Sequence, residues 1–375
     1  LLANFGGNPS MHGQLQVMVD DIISAQKKSQ HMVGLGIISE AMYDNPIVYD
    51  LIFDLAWADD NFNLDQWMEG YIKRRYGGIS ENAKLAWKIM KDANYNHGVR
   101  YTNELFGTKY KAPQDFGTQN IPYGADKLET AFRLLIEDFD RFKDSECYRY
   151  DLTEIMRQLV SNYAVLTYND VLNAQNARDI ESFKENKQKF LKAFEVLNTV
   201  QATQKEQLAG EWIGKARDRA EEYDDFSEAA FEMNAKALIT SWASRASMRN
   251  LKDYGWRNYE GMFNDIYTKV WTDYVNQVES NLEHGTPIQS IAKNDYFEMY
   301  WNWILSKQNY TRDAKDSPEE IQGVINLVLE NCVLSSELDP NVGNLALKRT
   351  AIANTDDVSG KIRYITDGQT DTQFT

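Results

Sequence analysis

The chain has 375 residues and a formal net charge of −16 at pH 7, with 43% hydrophobic residues, an ordinary globular content. That length allows two or three domains, or one large core with an appendage, and the acidic balance argues against a nucleic-acid partner, since little here could neutralise a phosphate backbone. No apolar run approaches membrane-spanning length. Two distant cysteines (Cys147, Cys332) and four scattered histidines supply neither a disulfide framework nor a metal cluster, so no metal and no cofactor is expected.

Residues 1–60 read as α/β. A loop rich in glycine and asparagine, Asn4-Phe5-Gly6-Gly7-Asn8, precedes a helix predicted over 14–29, with Leu15, Val17, Met18, Ile22 and Ile23 at helical spacing. The run Met32-Val33-Gly34-Leu35-Gly36-Ile37-Ile38-Ser39-Glu40 follows. Its segment 34–38 has no polar side chain on either face, which predicts a short strand buried on both sides of a parallel sheet. Glu40 then stands at the C-terminal end of that strand, where parallel α/β folds and barrels place their chemistry. By position alone such an acid is ordinarily a cap or a loop hydrogen-bonder. A further helix is predicted from Pro46, a residue suited to a first turn because its missing N–H costs nothing there.

From 61 to 310 the texture is helical. No proline occurs between Pro122 and Pro287. Leu128, Ala131, Phe132, Leu135, Ile136 and Phe139 follow i, i+3, i+4, i+7 spacing, as do Leu152, Ile155, Met156, Leu159 and Val160, then Phe183, Phe190, Leu191, Phe194 and Leu197. Phe263, Ile266, Tyr267, Val270, Trp271 and Tyr274 repeat the pattern, with charged residues expected on the solvated faces. Asp59-Asp60, Glu221-Glu222 and Asp224-Asp225 read as solvated charge. Residues 311–338 read as a helical linker, and 339–375 as short β-prone runs with Asp and Gly turns, the opening of an incomplete β-sandwich. The fold class expected is thus mainly α. The start on Leu1 without Met and the stop at Thr375 in a strand-like run suggest a segment of a longer protein.

An ordered set of motifs over residues 4–310 resembles the family 89 glycoside hydrolases, the alpha-N-acetylglucosaminidases. The set comprises Asn4-Phe5-Gly6-Gly7-Asn8, Gly34-Leu35-Gly36-Ile37-Ile38-Ser39-Glu40, Asn45-Pro46-Ile47-Val48-Tyr49 and Arg74-Arg75-Tyr76-Gly77. It continues with Tyr148-Arg149-Tyr150-Asp151-Leu152, Leu208-Ala209-Gly210-Glu211-Trp212-Ile213, Asn234 eight residues before Trp242, Asp253-Tyr254 and Leu305-Ser306-Lys307-Gln308. The resemblance implies that residues 1–60 end a (β/α)8 barrel and that 61–310 form a large all-helical domain. It also implies a retaining mechanism on terminal α-linked N-acetylglucosamine, with two glutamates. Glu40 matches the nucleophile, and the general acid falls outside residues 1–375. Asn4, Phe5 and Gly6 match substrate-side positions, and Trp242, Leu251 and Tyr254 match an aromatic wall from the helical domain. Trp242-Ala243-Ser244-Arg245 lacks the family's Gly after the Trp and is a few residues longer before Asp253. A shorter stretch, Asn344-Leu345-Ala346-Leu347 through Asp371-Thr372, resembles the start of a discoidin-like carbohydrate-binding module. The implied setting is secreted, periplasmic or cell-surface.

The chemistry fits the residue type. In an α-linked glucosaminide the 2-acetamido group lies on the leaving-group side of the ring and cannot attack from the opposite face, so the protein must supply a carboxylate nucleophile. Glu40 would need donors to stay ionised, and Asn4 with the Gly6-Gly7 backbone could provide them. Taken without the resemblance, residues 4–8 are a tight loop and Trp242 is core. A non-catalytic carbohydrate-binding or scaffolding protein is the rival reading.

Overall fold

The computed structural model describes residues 2–3, 10–40, 42–96, 120–223, 227–242, 244–247, 255, 257–287 and 297–334. Two strands occur among them, β1 (Leu2–Ala3) and β2 (Ile38–Ser39), paired in parallel. The helices are α1 (Leu15–Lys28), α2 (Pro46–Leu55), α3 (Leu64–Tyr76), α4 (Glu81–Met90), α5 (Ala125–Glu137), α6 (Phe139–Phe142) and α7 (Glu146–Ala177). Then come α8 (Ile180–Gln201), α9 (Ala209–Ala220), α10 (Glu228–Ile239), α11 (Thr268–Glu283), α12 (Phe297–Leu305) and α13 (Pro318–Asn331). The protein is mainly α, as its sequence predicts.

The helices start where local chemistry says they should. Asn63, Ser80, Ser145, Asp179, Ser227 and Ser317 each accept a backbone N–H from the first turn that follows, a cap contributing about 1 kcal/mol. At α13 the cap becomes a reciprocal box, with Glu320 reaching back to the Ser317 N–H at 3.1 Å.

α7 is the central element, packed against α3, α5, α8 and α13. The apolar stripe Leu152, Ile155, Met156, Leu159 and Val160 is buried as its spacing predicts. One aromatic cluster, Tyr76, Phe139, Phe142 and Tyr148, joins α3, α6 and α7. A second, Tyr168, Phe190, Phe194 and Trp271, joins α7, α8 and α11 through tilted and edge-on contacts. α9 carries Gly210 against the backbone of Thr311, so close that a Cβ there would sit 1.9 Å from the Thr311 carbonyl oxygen. Only glycine admits that approach.

Two expectations need correction. Segment 34–38 is not a buried strand: regular pairing is confined to Ile38–Ser39, Val33 is fully exposed and Ile38 is 71% exposed. The only sheet neighbour of β2 among the described residues is β1. An apolar pattern states what a strand can bury, whereas cover comes from elements distant in sequence. The second concerns the middle of α7, where three charged residues do not face solvent. Asp151, Glu154 and Arg157 are buried along with Gln158 and Asn162. Each charge has a partner far along the chain, such as Arg75, which grips Asp151 with two hydrogen bonds of 3.0 and 2.5 Å. The segment 339–375 lies outside the described residues.

Candidate functional site

The parallel register Leu2↔Ile38 and Ala3↔Ser39 brings both strands to their C-terminal ends at one edge. Glu40, half-buried, is the first residue beyond β2 at that edge. Asn4, Phe5, Gly6, Leu251 and Tyr254 lie outside the described residues, so Glu40 and Trp242 are the predicted site residues whose surroundings can be stated.

The chain beyond Glu40 turns into a buried polar network. Asp44 lies 3.1 Å from the Arg157 guanidinium and accepts from the Gln207 amide at 3.3 Å. Arg157 also lies 3.5 Å from Glu154, which accepts the backbone N–H of Asn45 at 3.0 Å. The Asn45 amide donates to the Ser10 carbonyl at 2.8 Å and accepts the His12 N–H at 3.2 Å. Gln158 accepts the Met11 N–H at 2.8 Å. The Tyr150 hydroxyl donates to the Tyr43 carbonyl. The segment leaving β2 and the segment around Ser10-Met11-His12 are therefore both fastened to α7.

Burial dominates the electrostatics here. It pushes the Glu154 carboxyl up to about 8, against the opposing pull of Arg157, with Asp44 adding to the rise. Burial also raises Asp44, opposed by Arg157 and Arg257. Two carboxyls thus share the Arg157 charge in a dry setting, where the neutral form of one is favoured.

Trp242 follows α10 and is 54% exposed, so it is a surface aromatic and not core. Its φ of 54° lies in the left-handed region, and its N–H donates to the Ala237 carbonyl at 2.7 Å. The same helix end is clasped by a returning segment. The Gly255 N–H donates to the Thr240 carbonyl, and a Cβ at Gly255 would meet the Leu238 carbonyl oxygen at 2.5 Å. The Arg257 N–H reaches the Ile239 carbonyl at 3.3 Å, and the Arg257 charge acts on Asp44. One chain of contacts therefore connects the end of α10 to the segment that follows Glu40.

Sequence reasoning missed the support of the segment that follows Glu40: Asp44, Glu154, Arg157, Gln207 and Arg257. Asp44 lies 113 residues from Arg157 and 163 from Gln207, and Asn45 lies 109 from Glu154, whereas the local pattern showed only Asn45-Pro46 as a helix start. Two clefts among the described residues lie elsewhere, about 250 Å³ between α10 and residues 304–307 and about 130 Å³ over α9. Neither is lined by Glu40 or Trp242. Their charges already pair across helix seams, as Arg217 does with Glu232 at 2.8 Å and Arg312 with Asp218 at 2.8 Å.

Residues 67–326 match the family model for the alpha-N-acetylglucosaminidase (NAGLU) C-terminal domain, and residues 1–59 match that for its tim-barrel domain. Human alpha-N-acetylglucosaminidase is 28% identical over 320 residues, 83% of this chain and 42% of that protein. A family 89 glycoside hydrolase from Clostridium perfringens, solved with 2-acetamido-1,2-dideoxynojirmycin, superposes with a TM-score of 0.81 at 30% identity, over 90% of this chain and 39% of that one. A variant from the same organism with two glutamates replaced by glutamine, in complex with its substrate GlcNAc-alpha-1,4-galactose, gives 0.80 at 30% identity, over 89% and 39%. This chain spans about two-fifths of the length of these relatives. With more than half of its residues matched by the C-terminal domain model, the chain belongs to the alpha-N-acetylglucosaminidase family, the family 89 glycoside hydrolases.

Proposed function

We propose that this chain contributes the nucleophile and the helical side of the pocket to a retaining exo-glycosidase that releases terminal α-linked N-acetylglucosamine from glycans. The observation that carries the reading is Glu40. It is the first residue past a parallel strand end, inside the segment matched to the barrel domain of a glycosidase family. Barrels of this kind hold their catalytic groups at that end of their strands.

In the proposed reaction, a Glu40 carboxylate oxygen attacks the anomeric carbon from the face opposite the aglycone. The carbon–oxygen bond to the aglycone breaks as a second carboxyl, outside residues 1–375, gives its proton to the leaving oxygen. A glycosyl ester of Glu40 results. Water, deprotonated by the second carboxylate, then attacks the same carbon and frees both the sugar and Glu40. For retention the two carboxyls stand roughly 5–5.5 Å apart. Asn4, Phe5 and Gly6, which follow β1 in sequence, are proposed beside Glu40, and Trp242, with Leu251 and Tyr254, as the sugar-facing wall. The exposure of Trp242 supports that role. Such glycans are met outside the cytoplasm, so a secreted, periplasmic or cell-surface location goes with the reading.

The test is Glu40→Gln in the full-length enzyme. The amide keeps the shape but cannot form the ester, so binding should persist while turnover of an aryl α-N-acetylglucosaminide falls by at least about a thousandfold, the scale for loss of a nucleophile. Added azide should restore part of the rate. Near-normal kcat, unresponsive to azide, would remove Glu40 from the mechanism.

A further inference from the structure

Asn45 stands where an asparagine ordinarily caps a helix, directly before Pro46 at the start of α2. An N-cap side chain accepts from the N–H groups of its own first turn, and that of Asn45 makes no such bond. Its amide spans outward instead, to the Ser10 carbonyl at 2.8 Å and from the His12 N–H at 3.2 Å, while its backbone N–H reaches Glu154 of α7 at 3.0 Å. The residue is fully buried. Its backbone sits at φ 57°, ψ 53°, in the left-handed region, and a residue before proline is sterically driven elsewhere. Conformations of this kind persist where surrounding structure over-determines them, and they concentrate at functional sites.

What Asn45 joins is specific. Ser10 and His12 belong to the next described segment after β1, and Asn45 lies five residues past Glu40 in sequence. The third contact is the central helix of the all-helical domain. The bonds of one side chain and one N–H thereby hold the residues that follow Glu40 to Ser10, His12 and α7. A nucleophile gains from such fixing because attack requires the reacting atoms to approach along a narrow path, and a misplacement of about 1 Å costs on the order of a hundredfold in rate.

We propose that Asn45 is a positioning residue for Glu40: by tying the residues that follow Glu40 to Ser10, His12 and α7, it sets where the Glu40 carboxylate stands against the sugar, without touching the sugar itself. The proposal rests on the reading of Glu40 as the nucleophile.

Asn45→Gly in the full-length enzyme is the test. Glycine accepts the left-handed backbone and keeps the N–H to Glu154, while the side-chain ties to Ser10 and His12 are lost. Expected is a fall in kcat of about 10–100-fold on an aryl α-N-acetylglucosaminide, with KM within about twofold of wild type. Val278→Ala, a core truncation in α11, is the stability control and should lower Tm while leaving kcat in place. Asn45→Asp, nearly isosteric and also tolerant of this backbone, replaces the donor to Ser10 with an oxygen. It carries the same expectation should the glycine variant not fold. A kcat within about twofold of wild type in a folded Asn45 variant, or a kcat loss that Val278→Ala reproduces in step with Tm, would overturn the positioning role. Glu40→Gln separates the two ideas. An inactive Glu40→Gln beside a fully active Asn45→Gly sinks the positioning role alone, whereas an active Glu40→Gln sinks both.

Discussion

Trp242 is a large side chain in a backbone conformation that suits glycine. A φ of 54° closes the end of α10 through the N–H to Ala237, a task a residue without a Cβ performs with less strain. Core packing does not explain the indole, because it is half in solvent. A flat apolar face held at a rigid helix end fits stacking on a sugar ring, an interaction of about 0.5–1.5 kcal/mol for aromatic pairs. In the full-length enzyme, Trp242→Gly should relax the backbone and remove the face together. kcat/KM is then expected to fall up to about tenfold, while Tm holds or rises. A core tryptophan would behave otherwise, losing about 3–5 kcal/mol of stability on truncation. A large drop in Tm with unchanged kinetics in the surviving folded protein would return Trp242 to the core.

At the scale of elements, α7 shows what a sequence reveals and what it hides. Its apolar stripe was legible because helical spacing is local, and so were the stripes of α5, α8 and α11. The left-handed pre-proline Asn45 and the buried charges Asp151, Glu154 and Arg157 were not legible. Their burial depends on Arg75, Asp44 and Asn45, which lie 76 to 113 residues away and look solvated when read alone. The candidate site divided in the same way. Glu40 and Trp242 could be singled out from motif and position, but the network that holds the Glu40 segment onto α7 depends on pairings that only the fold creates. That network makes stability depend on pH in an unusual direction. The Glu154 carboxyl, near 4.5 when unfolded and pushed up to about 8 by burial when folded, binds its proton more tightly in the native state. Stability from this group is therefore complete below about pH 4.5 and is lost as pH rises through the folded value near 8. Tm of the wild type should slope downward across that window, and Glu154→Gln, which keeps an acceptor for the Asn45 N–H, should flatten the slope. An unchanged slope in the glutamine variant would mean that Glu154 is ionised in the native state across the window.

For the whole molecule, the helical core and the barrel-matched segment stand on unequal footing. The helical core closes on itself: α7 is buried along most of its length by its neighbours, and two aromatic clusters tie it to α3, α6, α8 and α11. In the barrel-matched segment, by contrast, Val33, Ile38, Met42 and Phe53 are exposed and Trp57 is 91% exposed. A (β/α)8 barrel closes with eight strands, and two are seen among the described residues. The chain spans about two-fifths of the relatives it matches, and the resemblance puts the general acid outside it. Retaining hydrolysis needs both carboxyls, so the 375-residue chain expressed by itself should fold through its helices, with a helical circular dichroism spectrum and a cooperative melt. It should also bind a hydrophobic dye through its exposed apolar face and turn over no aryl α-N-acetylglucosaminide. Turnover by the purified chain that disappears with Glu40→Gln would show that a second carboxyl within residues 1–375 serves as the acid, and the division of the site between this chain and sequence beyond it would then be wrong.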